Sequence, residues 1–223
     1  MSYTLDIMKL ISNPDGFFAE MKNQDTKLSK PALIALLLAT LIALNQYVLI
    51  SQLSEVMPEK LEVFFKIGGY IGVVSSFIGV FAVWVIIAVI MHGLSAFFEE
   101  KGDFRRTFEF IGYGFFPSLV GSLITVPMSV YYITNAKISE ISLVQLQQNP
   151  DIVGAIIASI IPKDLIYSNL IINFVITAWS LTIWTFAIKH AREIELKKAF
   201  VSALIPTVLF AIYQIWSVLK LIL

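Results

Sequence analysis

The chain has no cysteine and only two histidines among its 223 residues. Without cysteine it forms no disulfide, thiolate metal site or iron–sulfur cluster, and it has no cysteine nucleophile. Charge is also scarce, because only 14% of the residues are charged, compared with about 25% in soluble domains. The formal net charge is zero. Without a long basic tract there is no reason to expect nucleic acid as a partner.

Familiar catalytic patterns are missing as well. The sequence contains no phosphate-binding loop and no Ser-His-acid arrangement. Glu99 and Glu100, followed by Arg105, superficially resemble the paired-glutamate motif of membrane CAAX-type proteases. The arginine lies one residue too far along, however, and the further metal-binding histidines are missing. Because a catalytic metal needs about three protein ligands and an open position, we predict no enzyme, no metal site and no cofactor.

What the sequence does contain is long apolar runs, since 57% of its residues are hydrophobic. A helix needs about 20 apolar residues to cross the hydrocarbon core. Lipid offers no partner for a free backbone amide, so such segments must be helical. We therefore predict an all-α polytopic membrane protein with a bundle of five transmembrane helices. The spans are 31–53, 67–98, 110–134, 165–188 and 199–219, and none contains Asp, Glu, Lys or Arg.

The basic residues predict how these spans are oriented. With the N-terminus in the cytoplasm, eleven of the 16 lysine and arginine residues lie on the cytoplasmic side. The positive-inside rule favours this arrangement. The sequence thus predicts a multi-pass protein of the cell membrane whose C-terminus lies outside. The five basic residues on the outer side are Lys60, Lys66, Lys137, Lys163 and Lys220.

Residues 1–30 are predicted to form a cytoplasmic amphipathic segment ahead of a membrane domain at 31–223. Leu5, Met8 and Ile11 recur at roughly helical spacing, and after them Asn13 is suited to cap a second helix with Pro14 in its first turn. Two interpretations remain open. The segment is either an amphipathic helix pair on the inner leaflet or a loosely ordered polar tail.

The connection at 138–162 is predicted to contain a short outer helix. Its apolar part, 152–161, has too few residues to span the membrane. We expect an interfacial or re-entrant helix that ends at Pro162.

Polar residues within the spans are the candidates for an intramembrane site. Asn169, Asn173 and Thr177 recur every four residues, which places them on one helix face. Such a row either lines a cavity or bonds neighbouring helices together. Asn45 in the first span is a candidate partner of this row. His92 in the second span is either a functional group or a structural hydrogen-bonding residue.

Proline and small residues in the spans predict their shape. Pro117, Pro127 and Pro206 are expected to kink the helices that contain them. Gly114, Ser118 and Ser122 form a row at four-residue spacing, which lets helix backbones approach closely. This is a prediction about packing rather than chemistry.

Four longer motifs resemble those of the Ypt-interacting-protein (Yip) domain family, particularly its prokaryotic and archaeal branch. They are NPDGFF at 13–18, KPALIALLLA at 30–39, GDFRRTFEFIGYGFFP at 102–117 and AWSLTIWTFAIKHAREIELKKAFVSALIP at 178–206. The resemblance covers nearly the whole chain and implies five spans with a cytoplasmic N-terminus. Eukaryotic relatives act in vesicle traffic, where they engage prenylated small GTPases.

Two functions remain open. We favour a non-enzymatic scaffold or adaptor that binds lipids or protein partners through its cytoplasmic face; the alternative is a passive transporter, channel or lipid-translocating protein that uses the polar row of the fourth span. The bland interpretation of the cytoplasmic basic residues is that they bind no ligand and only fix the topology. The sequence leaves a homo-oligomer open. The candidate binding residues are Lys27, Lys30, Arg105, Arg106, Arg192, Lys197 and Lys198.

Overall fold

A computed structural model describes residues 3–98, 102–137, 140–149, 152, 154–156 and 162–222. Regular structure in this part of the chain is entirely helical. Five of its helical segments are long and apolar enough to cross a membrane. The predicted all-α polytopic fold is therefore confirmed.

The helices are numbered in chain order over the described residues. Two short helices precede the first span, the third span contains two consecutive helices, and one short helix lies in the connection after it. The bounds are α1 Tyr3–Ser12, α2 Pro14–Met21, α3 Ser29–Glu55, α4 Glu59–Ala96, α5 Phe104–Tyr113, α6 Phe116–Asn135, α7 Leu143–Gln148, α8 Lys163–Arg192 and α9 Leu196–Ile222.

The five spans close into a ring. Helix α3 packs against α4 on one side and α6 on the other, while α8 packs against α6 and α9. Contacts between α9 and α4 complete the circuit. We call the end of the bundle where α3 and α9 begin and α8 ends the basic end, and the other the opposite end.

The third span departs from the single helix predicted at 110–134. It begins earlier, at Phe104, and it breaks between α5 and α6 at Gly114 and Phe115. Pro117 lies in the first turn of α6, where its fixed backbone and missing N–H suit a helix start. The expectation that Pro117 kinks a helix is therefore wrong. Pro127 and Pro206 do lie inside helices, in α6 and α9.

Packing is concentrated at the basic end. One large cluster of buried side chains includes Trp84, Met91, Phe110 and Ile188, which all lie in the half of their span nearer this end. The opposite end has only a small cluster around Leu53 and Ile133 among the described residues. Large apolar side chains elsewhere on the spans are exposed, as expected for surfaces that contact lipid.

The N-terminal segment forms two helices, and they belong to the packed core. Phe17 and Phe18 of α2 and Leu10 of α1 are buried in the same cluster as the spans. The pair is thus docked onto the bundle through this face. Met8 and Ile11 remain exposed. The predicted cap is confirmed, because the Asn13 side chain accepts a hydrogen bond from the Gly16 N–H at 2.9 Å.

The outer connection is described only in part. Ser142 caps α7 through a capping box with Gln145, and the Ile141 N–H donates to the Val56 carbonyl at 2.8 Å, which ties this connection to the turn between α3 and α4. Within 152–161, Ile152 and residues 154–156 are helical and the others lie outside the described residues. An interfacial or re-entrant helix here stays a prediction.

Candidate functional site at the basic end and in the central cavity

The GYGFFP motif shapes the centre of the basic end. The indole N–H of Trp84 donates to the Phe108 carbonyl at 2.9 Å, and that of Trp184 donates to the Ile111 carbonyl at 3.0 Å. Both rings approach where a side chain is missing. A Cβ on Gly112 would lie 2.5 Å from the Trp84 ring, and one on Gly114 would lie 1.9 Å from the Trp184 nitrogen. The two glycines therefore admit the rings that hold α5 between α4 and α8.

A buried ion pair joins α5 to the segment before α3. Arg106 Nη1 donates to Glu109 Oε2 at 2.6 Å, and the Glu109 carboxylate is fully buried. The other carboxylate oxygen accepts from the Lys27 backbone N–H at 2.9 Å. Arg106 also donates to the Gln24 carbonyl. Both residues are thus bonded within the protein, and together they fix the connection between α2 and α3.

His92 belongs to a second internal network. Its Nδ1 lies 2.9 Å from the Thr107 hydroxyl, which in turn donates to the Asp103 carbonyl at 3.3 Å. Its Nε2 lies 3.4 Å from Nη1 of Arg192. With the threonine proton used on Asp103, His92 donates from Nδ1 and accepts at Nε2. This arrangement favours the structural interpretation of His92.

Arg192 is an internal residue and not a surface one. Only 3% of it is exposed, and its guanidinium donates to the Gly102 carbonyl at 2.8 Å. Gly102 has a φ of +92°, and a Cβ there would lie 2.2 Å from the Ala191 carbonyl oxygen. The turn before α5 is therefore pressed against the end of α8. This burial corrects the expectation that Arg192 is presented to lipid headgroups.

Asp15 connects the N-terminal helices to the end of α8. Its Oδ1 accepts from Lys189 Nζ at 2.6 Å and lies 2.6 Å from His190 Nε2. Hydrogen bonds from Lys189 and then from His190 lower the pKa of the Asp15 carboxyl. A second, longer bridge joins Lys22 to Glu193 at 3.5 Å between exposed side chains. These bridges hold α2 against the bundle.

The predicted basic residues thus divide into two groups, although all of them lie at the basic end. Arg106 and Arg192 are bonded inside the protein. The remaining five have solvent access: Lys27, Arg105 and Lys197 are exposed, and Lys30 and Lys198 are half-buried. Within the described residues, no ion pair joins Arg105, Lys197 or Lys198 to an acidic side chain.

The polar row of the fourth span lines a cavity inside the ring of spans. This central cavity has a volume of about 370 Å³ and is bordered by α3, α4, α6, α8 and α9. Asn173 and Thr177 line it together with Ser180, and Ser118 and Ser122 line it from α6. The basic end of the cavity is closed by Phe115 and Trp184, whose ring centres are 6.0 Å apart.

The other two asparagine candidates, Asn169 and Asn45, are not part of this lining. Asn169 accepts a hydrogen bond at its backbone carbonyl from the Asn173 side chain, at 2.9 Å. The side-chain oxygens of Asn169 and Asn45 are both buried without a hydrogen-bond partner among the described residues. Among the described residues, no hydrogen bond joins Asn45 to Asn169, Asn173 or Thr177.

Sequence reasoning missed the two acidic residues that organise the basic end, Asp15 and Glu109. Glu109 had a signal, since it follows Arg106 by three residues and this spacing places the two side chains on one helix face. The only local indication for Asp15 was its position in the first turn of a predicted helix. Its partners lie 174 and 175 residues away along the chain, and no local pattern gives such a distance.

No cluster of three or more metal-ligating side chains occurs within the described residues. Glu99 and Glu100 lie outside them.

The fold and these internal networks define a class: a multi-pass helical membrane protein of five spans with an ordered basic end. The Yip1 domain matches residues 8–218, and the chain belongs to that family of non-enzymatic membrane proteins. An uncharacterised protein of Methanocaldococcus jannaschii is 35% identical over 127 residues, which are 57% of this chain and 90% of that protein. No solved structure gives a significant match.

Proposed function

We propose that this protein is a non-enzymatic membrane scaffold of the cell membrane, with its basic end in the cytoplasm, where it binds anionic lipid headgroups. An acidic segment of a partner protein is the competing ligand for the same surface. The observation that carries this proposal is the ordering of the basic end. Bonds through Asp15 and Glu109 fix α2 and the segment before α3, so this end of the bundle is already folded before a ligand binds.

The exposed basic residues lie at the same end of the bundle, so one anionic membrane surface can face all of them. Arg105 lies in the first turn of α5, and Lys197 and Lys198 lie in the first turn of α9. Each basic residue near an anionic membrane surface contributes about 1 kcal/mol. A guanidinium additionally binds phosphate through two parallel hydrogen bonds. We name Arg105, Lys197 and Lys198 the basic surface.

Acidic side chains at the same end limit this attraction. Asp25, Asp103 and Glu195 are exposed there, and each of them reduces the attraction of this end for an anionic lipid. Asp15, Glu109 and Glu193, the three acids in the bridges described above, are different, because each is already bonded to a basic residue. We expect selectivity for anionic over zwitterionic lipid that weakens as salt screens the charges.

Lipid copurification tests the proposal. The variant Arg105→Gln/Lys197→Gln/Lys198→Gln removes the basic surface without touching the internal networks. Its matched control is Lys60→Gln/Lys137→Gln/Lys163→Gln, which removes three exposed lysines at the opposite end. Phosphatidylglycerol retained after purification should fall in the first variant and stay at the wild-type level in the control. Equal retention in all three proteins would leave the basic residues as topology signals only.

The second candidate function, passive transport, is favoured by one observation. Asn173, Thr177 and Ser180 line a cavity instead of bonding one helix to another. Closure of that cavity by Phe115 and Trp184 weighs against a continuous path. Vesicles containing the protein should therefore show no more flux of small polar solutes than empty vesicles. Protein-dependent flux that Ser180→Leu abolishes would support transport instead.

A further inference from the structure

We propose that the central cavity is a binding site for one uncharged lipid of the diacylglycerol type. Its hydroxyl and ester oxygens would lie in the cavity, and an acyl chain would lie in the neighbouring groove between α8 and α9. This site is separate from the basic surface and does not rest on the function proposed above.

The first argument is an unsatisfied hydroxyl. Ser180 is only 3% exposed, it lines the cavity, and its Oγ has no hydrogen-bond partner among the described residues. Leaving such a group unpaired away from water costs about 1–3 kcal/mol. Thr185, in the same helix, shows the usual alternative, since its hydroxyl donates to the Leu181 carbonyl at 2.7 Å. Ser180 instead directs its hydrogen-bonding capacity into the cavity.

The surroundings of Ser180 offer further hydrogen-bonding capacity. Ser118 and Ser122 of α6, Thr177 of α8 and Gln214 of α9 also line the cavity. Within the described part of the chain, no hydrogen bond is formed by any of these four side chains. In the middle of a bilayer, a ligand that carries hydroxyl and carbonyl oxygens would satisfy such groups.

The second argument concerns charge. None of the described residues that line the cavity is Asp, Glu, Lys, Arg or His. A phosphate or ammonium group placed there would be buried without a counter-charge, which is far more costly than burying a hydroxyl or an ester. The chemistry of the lining therefore selects an uncharged polar group and rejects the headgroup of an ordinary phospholipid.

The third argument is the groove beside the cavity. It has a volume of about 470 Å³ and lies between α8 and α9, with a mostly apolar lining that includes Phe174, Leu181 and Val208. Asn173, Thr177 and Gln214 border both spaces. A ligand with a polar group in the cavity can thus extend an apolar chain past these three residues into the groove. It would enter from the lipid, because Phe115 and Trp184 close the basic end.

A cavity-filling variant tests this site without removing any packing. Gly79 lines the cavity, and a Cβ there would meet no atom within 4 Å. Gly79→Leu should therefore fill the cavity without straining α4. Gly68→Leu is the matched control, since Gly68 lies on the same helix, has the same free space and is not part of the lining. Both variants must retain wild-type thermal stability in detergent micelles.

The probe is a diacylglycerol with a diazirine in one acyl chain, added to the protein in phosphatidylcholine nanodiscs. Crosslinking to the wild-type protein should map to α8 and α9 and should be displaced by dioleoylglycerol but not by dioleoyl phosphatidylglycerol. Gly79→Leu should lower the crosslinking yield about tenfold, which corresponds to 1.4 kcal/mol, and Gly68→Leu should leave it unchanged. Equal yields in the two variants, or equal displacement by the charged lipid, would overturn the proposal.

A second measurement distinguishes lipid from water in the cavity. Because the chain has no cysteine, Ser180→Cys supplies a single thiol at the lining. The thiol should react slowly with a hydrophilic methanethiosulfonate reagent, and dioleoylglycerol should slow the reaction further. Ser29→Cys is the control, since Ser29 is exposed at the start of α3, and its labelling should be fast and unaffected by dioleoylglycerol. Fast labelling of Ser180→Cys that dioleoylglycerol does not alter would show a water-filled cavity and contradict lipid binding.

Discussion

The indole nitrogen of Trp184 lies 3.0 Å from the carbonyl oxygen of Ile111, to which it donates a hydrogen bond. This bond forms at the break in the third span. At this break the Gly114 N–H also donates a hydrogen bond to the Ile111 carbonyl, at 3.0 Å. Helix α6 begins two residues after Gly114 and has Pro117 in its first turn. The tryptophan of one span therefore supports the interrupted end of another, and Gly114 is the residue that admits its ring.

The first prediction concerns this close approach. Gly114→Ala places a Cβ where the Trp184 ring lies, so it should destabilise the protein by about 1–3 kcal/mol, as overpacking does. Gly68→Ala meets no neighbouring atom and should be neutral or stabilising, because alanine favours a helix over glycine by about 1 kcal/mol. Thermal unfolding in detergent measures both. If Gly114→Ala were as stable as Gly68→Ala, the contact would not constrain the fold.

Arg105 and Arg106 give the second prediction, because adjacent arginines have opposite roles. Arg106→Met removes the partner of the buried Glu109 carboxylate and should cost roughly 3 kcal/mol of stability. Arg105→Met removes an exposed side chain and should change stability by less than about 0.5 kcal/mol. Chemical denaturation of the two variants in the same detergent compares them.

A rescue experiment tests the reason for that difference. Glu109→Gln in the Arg106→Met protein removes the unpaired charge and keeps an oxygen that can accept from the Lys27 N–H. The double variant should therefore regain part of the lost stability. A double variant that is less stable than Arg106→Met alone would show that the buried charge is not the cause.

The third prediction concerns docking of the N-terminal helices. Lys189 and His190 hold the pKa of Asp15 below its ordinary value, which is about 3.9. The ionised Asp15 carboxylate therefore stabilises the docked helices fully above about pH 4. This stabilisation is lost as the pH falls through the lower pKa that Asp15 has in the folded state. Hydrogen exchange in residues 3–21, corrected for intrinsic rates, should accelerate below that pH relative to exchange in α8.

A substitution isolates Asp15 from other effects of acid. Asp15→Asn should accelerate exchange in α1 and α2 at neutral pH and remove most of the pH dependence of docking. Glu193→Gln is the control, because it changes the longer and more exposed bridge to Lys22 and should have little effect. Equal protection in the wild-type and Asp15→Asn proteins would show that apolar packing of Phe17 and Phe18 holds the helices alone.

Much of the fold could be predicted because membrane spans have a strong local signal. Uncharged runs of sufficient length placed five spans correctly, and the cap at Asn13 followed from residue type and position. The break at Gly114 could not be predicted by hydropathy, since the uncharged apolar run from Phe110 to Thr134 continues across it. In the row of Gly114, Ser118 and Ser122, Gly114 was correctly taken as a packing position, whereas the two serines line the cavity. The sequence gives no indication that Trp184 fills the space beside Gly114.

The candidate site was harder to predict because exposure depends on tertiary partners. Arg105, Arg106 and Arg192 look alike in the sequence, yet the structure pairs Arg106 with Glu109, buries Arg192 against Gly102 and leaves Arg105 exposed. The row of Asn173 and Thr177 was visible as a periodic pattern. Four other helices decide whether this row bonds to a neighbour or lines a cavity. Their packing cannot be inferred from a periodic pattern within one helix.

The fourth prediction is the orientation in the membrane. Ser29 lies exposed at the start of α3, and Val144 lies exposed in α7 on the other side of the spans. In the cysteine-free chain, Val144→Cys should react with an impermeant thiol reagent in intact cells. Ser29→Cys should react only after the cells are permeabilised, as the distribution of basic residues requires. The reverse labelling pattern would place the basic end outside.

The most direct test of the central claim is the lipid selectivity of the basic surface, measured by electron paramagnetic resonance in reconstituted vesicles. Spin-labelled phosphatidylglycerol should associate with the wild-type protein more strongly than spin-labelled phosphatidylcholine, and the preference should shrink as salt is raised from 0.01 to about 1 M. Arg105→Gln/Lys197→Gln/Lys198→Gln should abolish the preference, while Lys60→Gln/Lys137→Gln/Lys163→Gln should retain it. A preference for phosphatidylglycerol that survives in the first variant at low salt would show that the basic surface does not select anionic lipid.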